Sequence, residues 1–252
     1  MARDPRVPDG TLVYAIGDVH GRDDLLGALH DRIAADAAGR NARRRLLVHL
    51  GDYVDRGPAS RQVLDRLAGA PPPGFESVAL KGNHEAFLLA FLHGREAAAG
   101  WLLNGGGATL ASYGVEPPDP WDSEDVDRAR EQFRAALPDR HRSFLSGLRL
   151  LHQEGDYLFV HAGIRPWAPL DRQVEADLLW IREPFLEWPK AFGPVVVHGH
   201  TITNAPDVRA NRIGIDTGAF GTGVLTALAL QGDSRIFLAT GAFSRGHEAT
   251  GR

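Results

Sequence analysis

A chain of 252 residues, 43% of them hydrophobic, is long enough to bury a full core, and its 28 basic against 32 acidic side chains give a formal charge of -4. That balance lacks the basic excess with which nucleic-acid binders neutralise phosphates. With no cysteine in the chain, disulfides and thiolate metal sites are excluded, so any bound metal must sit on His, Asp, Glu or Asn.

Residues 1–10 hold two prolines and mixed charge and read as a short flexible leader. They carry no apolar signal-peptide core, and no run in the chain reaches the length of a membrane span, so a cytoplasmic protein is expected. LVYAIG (12–17) reads as a buried strand, followed by a helix over 22–37 whose Leu25, Leu26, Leu29 and Ile33 form one stripe. A second strand (45–50), a helix from Pro58 to about Leu67, a strand over 75–82 and a helix over 84–93 complete a βαβαβα order, which implies parallel strands. The middle is less regular. Asn104 precedes three glycines, a proline-rich acidic loop spans 116–127, and helical segments are expected at 124–136 and 138–146. From Leu148 the pattern turns to strands, with a hairpin at Glu154-Gly155-Asp156. Residues 171–188 read as a helix, with Trp167, Trp180 and Trp188 as core or pocket wall. Further strands follow, with a turn at Gly232-Asp233 and a loose tail over 243–252. No internal repeat or linker interrupts the pattern, so one domain spanning 1–252 is expected.

One pattern recurs at five strand ends: LVYAIGDVHG (12–21), LLVHLGDYVDRGP (46–58), SVALKGNHE (77–85), YLFVHAG (157–163) and PVVVHGHT (194–201). Each is an apolar run, then side chains that ligate metals, near a glycine. Open α/β sheets bind ligands beyond the carboxyl ends of their strands, so five such ends describe one site. Asp18 and His20 lie two apart, on one side of an extended segment. Asp52 can lend an oxygen to each of two metals, Asn83 offers an amide oxygen, and His161 with His200 can complete a second position. Two cations about 3.5–4 Å apart would hold and acidify a water in line with phosphorus, which is the chemistry of phosphoester hydrolysis.

The motifs GDVHG, GDYVDRG, GNHE, HAG and GHT, in this order over residues 17–201, closely resemble those of the calcineurin-like metallophosphoesterases. Within them the resemblance is to the phosphoprotein phosphatases and their small bacterial and phage serine/threonine members. It implies an α/β, four-layer αββα sandwich of two mixed sheets flanked by helices, with two metals. Asp18 and His20 would bind one metal, Asp52 would bridge, and Asn83, His161 and His200 would bind the other. His84 would be a general acid oriented by Asp55. Arg56 would grip the substrate phosphate together with Asn83 and with Arg182 of LLWIREP, in preference to Arg165 or Arg172. Three imidazoles among oxygen donors suit Mn²⁺, with Fe or Zn²⁺ as alternatives. The segment Asn104–Gly107 resembles the NGG stretch of the bacterial and phage enzymes and is expected on the substrate side, and His198 is expected to pack beside the site. The activity expected first is hydrolysis of phosphoserine and phosphothreonine, with phosphotyrosine a further candidate, by attack of a water held between the metals. A symmetrical dinucleoside tetraphosphate hydrolase shares the same motifs and is the alternative; a non-catalytic scaffold comes last, because every ligand and acid position is intact. The expected partner is a phosphoprotein or phosphopeptide substrate, with no nucleic acid, membrane or obligate protein partner.

Overall fold

The computed structural model describes residues 4–243. Strand β1 (Thr11–Ile16) shows why its sequence is an unbroken apolar run: Leu12, Tyr14 and Ile16 face a core built with helices, while Val13 and Ala15 face a second sheet. A strand covered on both faces has no polar side to alternate with. β2 (Arg44–His49) repeats the arrangement, Leu47 pointing one way and Leu46 and Val48 the other.

α1 (Asp23–Ala38) links β1 to β2, α2 (Ser60–Leu67) links β2 to β3 (Glu76–Ala79), and the three strands pair in parallel. α3 (Asn83–His93) follows β3. The segment expected to hold only a glycine-rich loop is helical, with α4 (Ala98–Trp101), a π-type turn over Leu102–Gly106 and α5 (Gly107–Ser112). α6 (Ser123–Ala136) and α7 (Asp139–Ser146) fall where the apolar spacing puts them.

The second sheet begins with the hairpin β4 (Leu151–Glu154) and β5 (Tyr157–Val160), and continues through β6 (Val195–His198), β7 (Asp207–Val208) and β8 (Arg212–Gly214) in the order β4-β5-β6-β8-β7. β9 (Thr226–Gln231) and β10 (Ser234–Ala239) return to the first sheet, giving β10-β9-β1-β2-β3. Both sheets mix parallel and antiparallel pairs. Tyr157, Phe159, Val195 and Val197 interleave with Leu46, Val48, Leu228 and Leu230 between the sheets. Helices cover the outer face of the first sheet, whereas the outer face of the second is covered thinly by α8 (Glu175–Trp180), Ile164 and Phe185. The architecture is the four-layer αββα sandwich with two mixed sheets.

Two expectations need correction. The helix over 171–188 is confined to Glu175–Trp180, preceded by a single 3-10 turn at Leu170–Arg172, and Ile181 is already extended at ψ 136°. Pro184 cannot donate to a helical bond and biases the residue before it away from helix, so the apolar spacing of Leu178, Ile181 and Phe185 packs an irregular segment. The leader is anchored from residue 4 onward in part: Val7 is buried and donates its N–H to Gly232 O at 3.0 Å, and Arg6 N–H donates to Asp156 Oδ2 at 3.0 Å. Residues 1–3 and the expected loose tail from 244 onward lie outside the described residues.

Candidate active site

The turns after β1, β2, β3, β5 and β6 meet at one edge of the sandwich. Among the described residues, five non-glycine residues have positive φ, and all lie in these turns: His20, Asp52, Asp55, Arg56 and His200. Such backbone is unfavourable for L-residues and persists only where surrounding bonds over-determine it. Those bonds are present. Val19 and His20 N–H both donate to Asp52 O, Gly21 N–H to Tyr53 O, and Ala59 N–H to Gly21 O, at 2.8–3.0 Å. Glu85, one residue after His84, is fully buried, and its carboxylate accepts from the N–H groups of Gly82, Asp52, Tyr53 and Val54. Two turns are thus tied to the first turn of α3 by one side chain. Where these turns touch, a Cβ has no room: one on Gly82 would lie 2.1 Å from Asp52 Oδ1, and one on Gly199 2.0 Å from Asp18 Oδ1.

The six expected ligands come together. His20 Nε2 and His161 Nε2 each lie 3.5 Å from a different oxygen of Asp52. Asn83 Oδ1 lies 2.8 Å from His161 Nε2 and 2.9 Å from His200 Nδ1. His20 and His161 place their other ring nitrogens, Nδ1, 2.9 Å from the carbonyls of Val54 and Leu50, a pairing that makes Nδ1–H the donor and leaves the Nε2 lone pair facing the centre. Two clusters, His20 with Asp52 and His84, and Asp52 with His161 and His200, have ligand atoms within 4.8 Å of one another and could each hold a metal ion. Asp52 belongs to both.

Asp18 stands beside these clusters. Its Oδ2 accepts from His200 N–H at 3.0 Å, while its buried Oδ1 has no protein partner. Burial raises its pKa well above the ordinary carboxylate range, and the charges of Asp216 and Asp52 raise it further. Burial would also raise Asp52, but the surrounding His161, His84 and His20 win and hold it low. Burial is likewise the main reason that His20 and His200 fall to about 3. Neutral imidazoles, an orphaned carboxylate oxygen and three close acidic groups suit one or two divalent cations, which would satisfy the oxygen and offset the crowded negative charge.

His84 is placed apart from its neighbours by its partners. Its Nδ1 donates to Asp55 Oδ2 at 2.7 Å, and its Nε2 lies 3.1 Å from Arg56 Nη2 and 3.9 Å from Asp52 Oδ2. Burial opposes charge on the ring, yet Asp52 and Asp55 outweigh it and raise its pKa above the usual value. Asp55 is itself fixed by Trp101 Nε1–H at 2.8 Å and Thr109 Oγ1–H at 2.6 Å, and its backbone N–H donates to Ser60 Oγ and Thr109 Oγ1. The Asn104–Gly107 segment therefore has a local task besides facing substrate: Gly105 O accepts from Arg56 N–H at 3.2 Å, and Gly106 lets Trp101 pack tightly. Trp101, Thr109, Ser60, Glu85 and Asp216 were not legible as site residues, because they sit in helices or strand ends without a motif of their own.

Of the expected phosphate-binding residues, Arg56 is exposed, with its guanidinium carbon 4.7 Å from the ring centre of Phe220. Arg182 is also exposed, and its charge adds to the lowering of the pKa of His161 and His200. Arg165 pairs with Asp177 at 2.8 Å, and Arg172 is on the 3-10 turn. His198 is buried edge-on against Phe185, with ring centres 5.1 Å apart, and is in neither metal cluster. Trp180, expected as core or pocket wall, is 42% exposed beside His200.

Comparison with known proteins agrees with this geometry. Among curated proteins the chain is similar to the symmetrical bis(5'-nucleosyl)-tetraphosphatase of Delftia acidovorans, 34% identical over 154 residues that make up 61% of this chain and 45% of that protein. It is also similar to the asymmetrical bis(5'-nucleosyl)-tetraphosphatase PrpE of Anoxybacillus flavithermus, 26% identical over 238 residues, 86% of this chain and 90% of that one. The chain thus spans less than half the length of the Delftia relative. A solved cold-active protein tyrosine phosphatase has the same fold at a TM-score of 0.60 and 18% identity, over 92% of this chain and 80% of that one. Residues 11–221 match the calcineurin-like phosphoesterase family, and the chain belongs to that family.

Proposed function

We propose that the chain hydrolyses dinucleoside polyphosphates and cuts a dinucleoside tetraphosphate between its two central phosphates. The observation that carries this reading is the run of tetraphosphatase relatives, one of them matched along 86% of this chain and 90% of its own length. It moves ahead of phosphoprotein hydrolysis, the activity the motifs alone put first. In the reaction a water oxygen bonds to one central phosphorus, the bond from that phosphorus to the bridging oxygen breaks, and two nucleoside diphosphates leave.

Asp18, His20, Asp52, Asn83, His161 and His200 would hold two cations, Mn²⁺ by the mix of imidazole and oxygen donors, and these would supply Lewis acidity and a lowered water pKa. Arg56, Asn83 and Arg182 bind the phosphate under attack, the planar guanidinium groups matching its charged oxygens. His84, held by Asp55, gives a proton to the departing oxygen. That last pair supports a second reading. A serine or threonine alkoxide needs a proton far more than a departing nucleoside diphosphate does, so the His84–Asp55 bond also suits phosphoprotein hydrolysis.

Steady-state rates of the Mn²⁺-loaded enzyme on diadenosine tetraphosphate and on a phosphoserine peptide separate the two. The dinucleotide reading predicts the higher kcat/KM on diadenosine tetraphosphate, with ADP the sole nucleotide product. Preference for the peptide would restore the phosphatase reading, and AMP with ATP would show an off-centre cut.

A further inference from the structure

The rim of this strongly polar centre is apolar on two sides. Phe220 lies on the single turn α9 (Ala219–Thr222), flanked by Gly218 and Gly223, both left-handed. The turn is built to hold its place: Ala219 O accepts from Arg22 Nη1–H at 3.1 Å, Asp216 Oδ1 accepts from Gly218 N–H at 2.9 Å, and Thr222 Oγ1 donates back to Thr217 O at 2.8 Å. Phe220 is nevertheless 37% exposed, with its ring centre 5.5 Å from that of His20 at an interplanar angle of 85°. Across the site Trp180 stands at the end of α8, its ring edge-on to His200 at 6.2 Å and to Phe87 at 5.0 Å. His20 and His200 belong to different metal clusters, so each cluster has one exposed aromatic beside it. Ile202, also exposed, lies close to Gly218 and extends the apolar rim on the Phe220 side.

Large exposed aromatics against a charged centre have little stabilising purpose there, since the packing face they present is turned to water. They do suit a ligand with a phosphate chain between two flat, apolar ends. We infer that Phe220 and Trp180 are the two base-stacking faces of the site, one beside each cation position, so that a dinucleoside polyphosphate lies across the centre with one nucleobase on each. The inference rests on the dinucleotide reading above and deepens it: two faces, similarly distant from the two clusters, present the middle of a tetraphosphate to the site, whereas a single face would favour a cut nearer one end. Arg56, stacked on Phe220, then reads the phosphate chain from the same side as that base.

Phe220→Leu and Trp180→Leu keep apolar bulk but remove the aromatic face. Base stacking on an aromatic side chain is typically worth about 5- to 150-fold in binding, so each variant should raise the KM for diadenosine tetraphosphate within that range. Inorganic tetraphosphate, used as a competitive inhibitor, reads the phosphate grip alone, and its Ki should stay within about twofold of wild type on this account. Equal weakening of dinucleotide and inorganic tetraphosphate would overturn the inference, because the side chains would then act by positioning Arg56 or His200. Unchanged KM in both variants would overturn it as well, with the tetraphosphatase activity left standing. A wild-type enzyme that does not cut diadenosine tetraphosphate at all would remove the functional reading and this inference with it.

Discussion

Asp52 and Arg182 approach the same centre from opposite walls, one locked and the other open. On the wall built by residues 17–109, positive-φ turns are tied by the Glu85 carboxylate to four backbone N–H groups, and Asp55 is tied to His84, Trp101 and Thr109. On the wall built by residues 161–220, His161 and His200 end short strands, and Arg182, Trp180 and Phe220 stand exposed on irregular segments or single turns. Groups that must hold cations and a proton donor in fixed geometry are on the rigid wall. Groups that contact the variable part of a substrate are on the open one. Scaffolds commonly place specificity on loops and chemistry on well-supported turns.

The largest effect should come from loosening the rigid wall. In Glu85→Gln an amide NH₂ replaces one acceptor oxygen and faces two backbone donors, and each unsatisfied buried group costs about 1–3 kcal/mol, so a loss of roughly 2–6 kcal/mol is expected in urea denaturation. An unchanged midpoint would mean that the carboxylate does not hold the turns. Next comes His84→Asn, which should lower kcat on a phosphoserine peptide by roughly 10²- to 10⁴-fold, the usual range for a general acid, and far less on p-nitrophenyl phosphate, whose leaving group needs no proton. The sign of the pH dependence follows from the raised pKa of His84. The protonated ring is the active form, so activity that depends on it persists at low pH and falls as pH rises through a value above 6.5. The Asn variant should lose that limb, and a limb that survives the substitution would assign it to another group. Arg182→Ala tests the open wall with the smallest change: about 10- to 10³-fold in kcat/KM, with metal content and stability intact. Loss of stability equal to that of the Glu85 variant would erase the contrast between the walls.

The strand-end motifs were readable because each joins an apolar run to its ligands within a few residues, and the same runs fixed β1, β2, β5 and β6. Glu85 was visible in GNHE but silent as to role, since nothing in its spacing says that four N–H groups from two turns converge on it. Trp101 and Thr109 come from a glycine-rich stretch that read as a loop, yet they hold Asp55 through tertiary contacts. Phe220 lies after the last motif, in a segment that read only as a strand connection. The 171–188 segment misled because apolar spacing alone cannot register that Pro184 stops a helix.

The account rests most on Asp52 serving two cations at once. Metal analysis of purified protein after Mn²⁺ loading and gel filtration tests this directly. Wild type should carry two Mn²⁺ per chain, and Asp52→Asn, which weakens both positions together, should carry well under one. A variant that still retains one tightly held Mn²⁺, or a wild-type chain that saturates at one, would contradict a shared bridge.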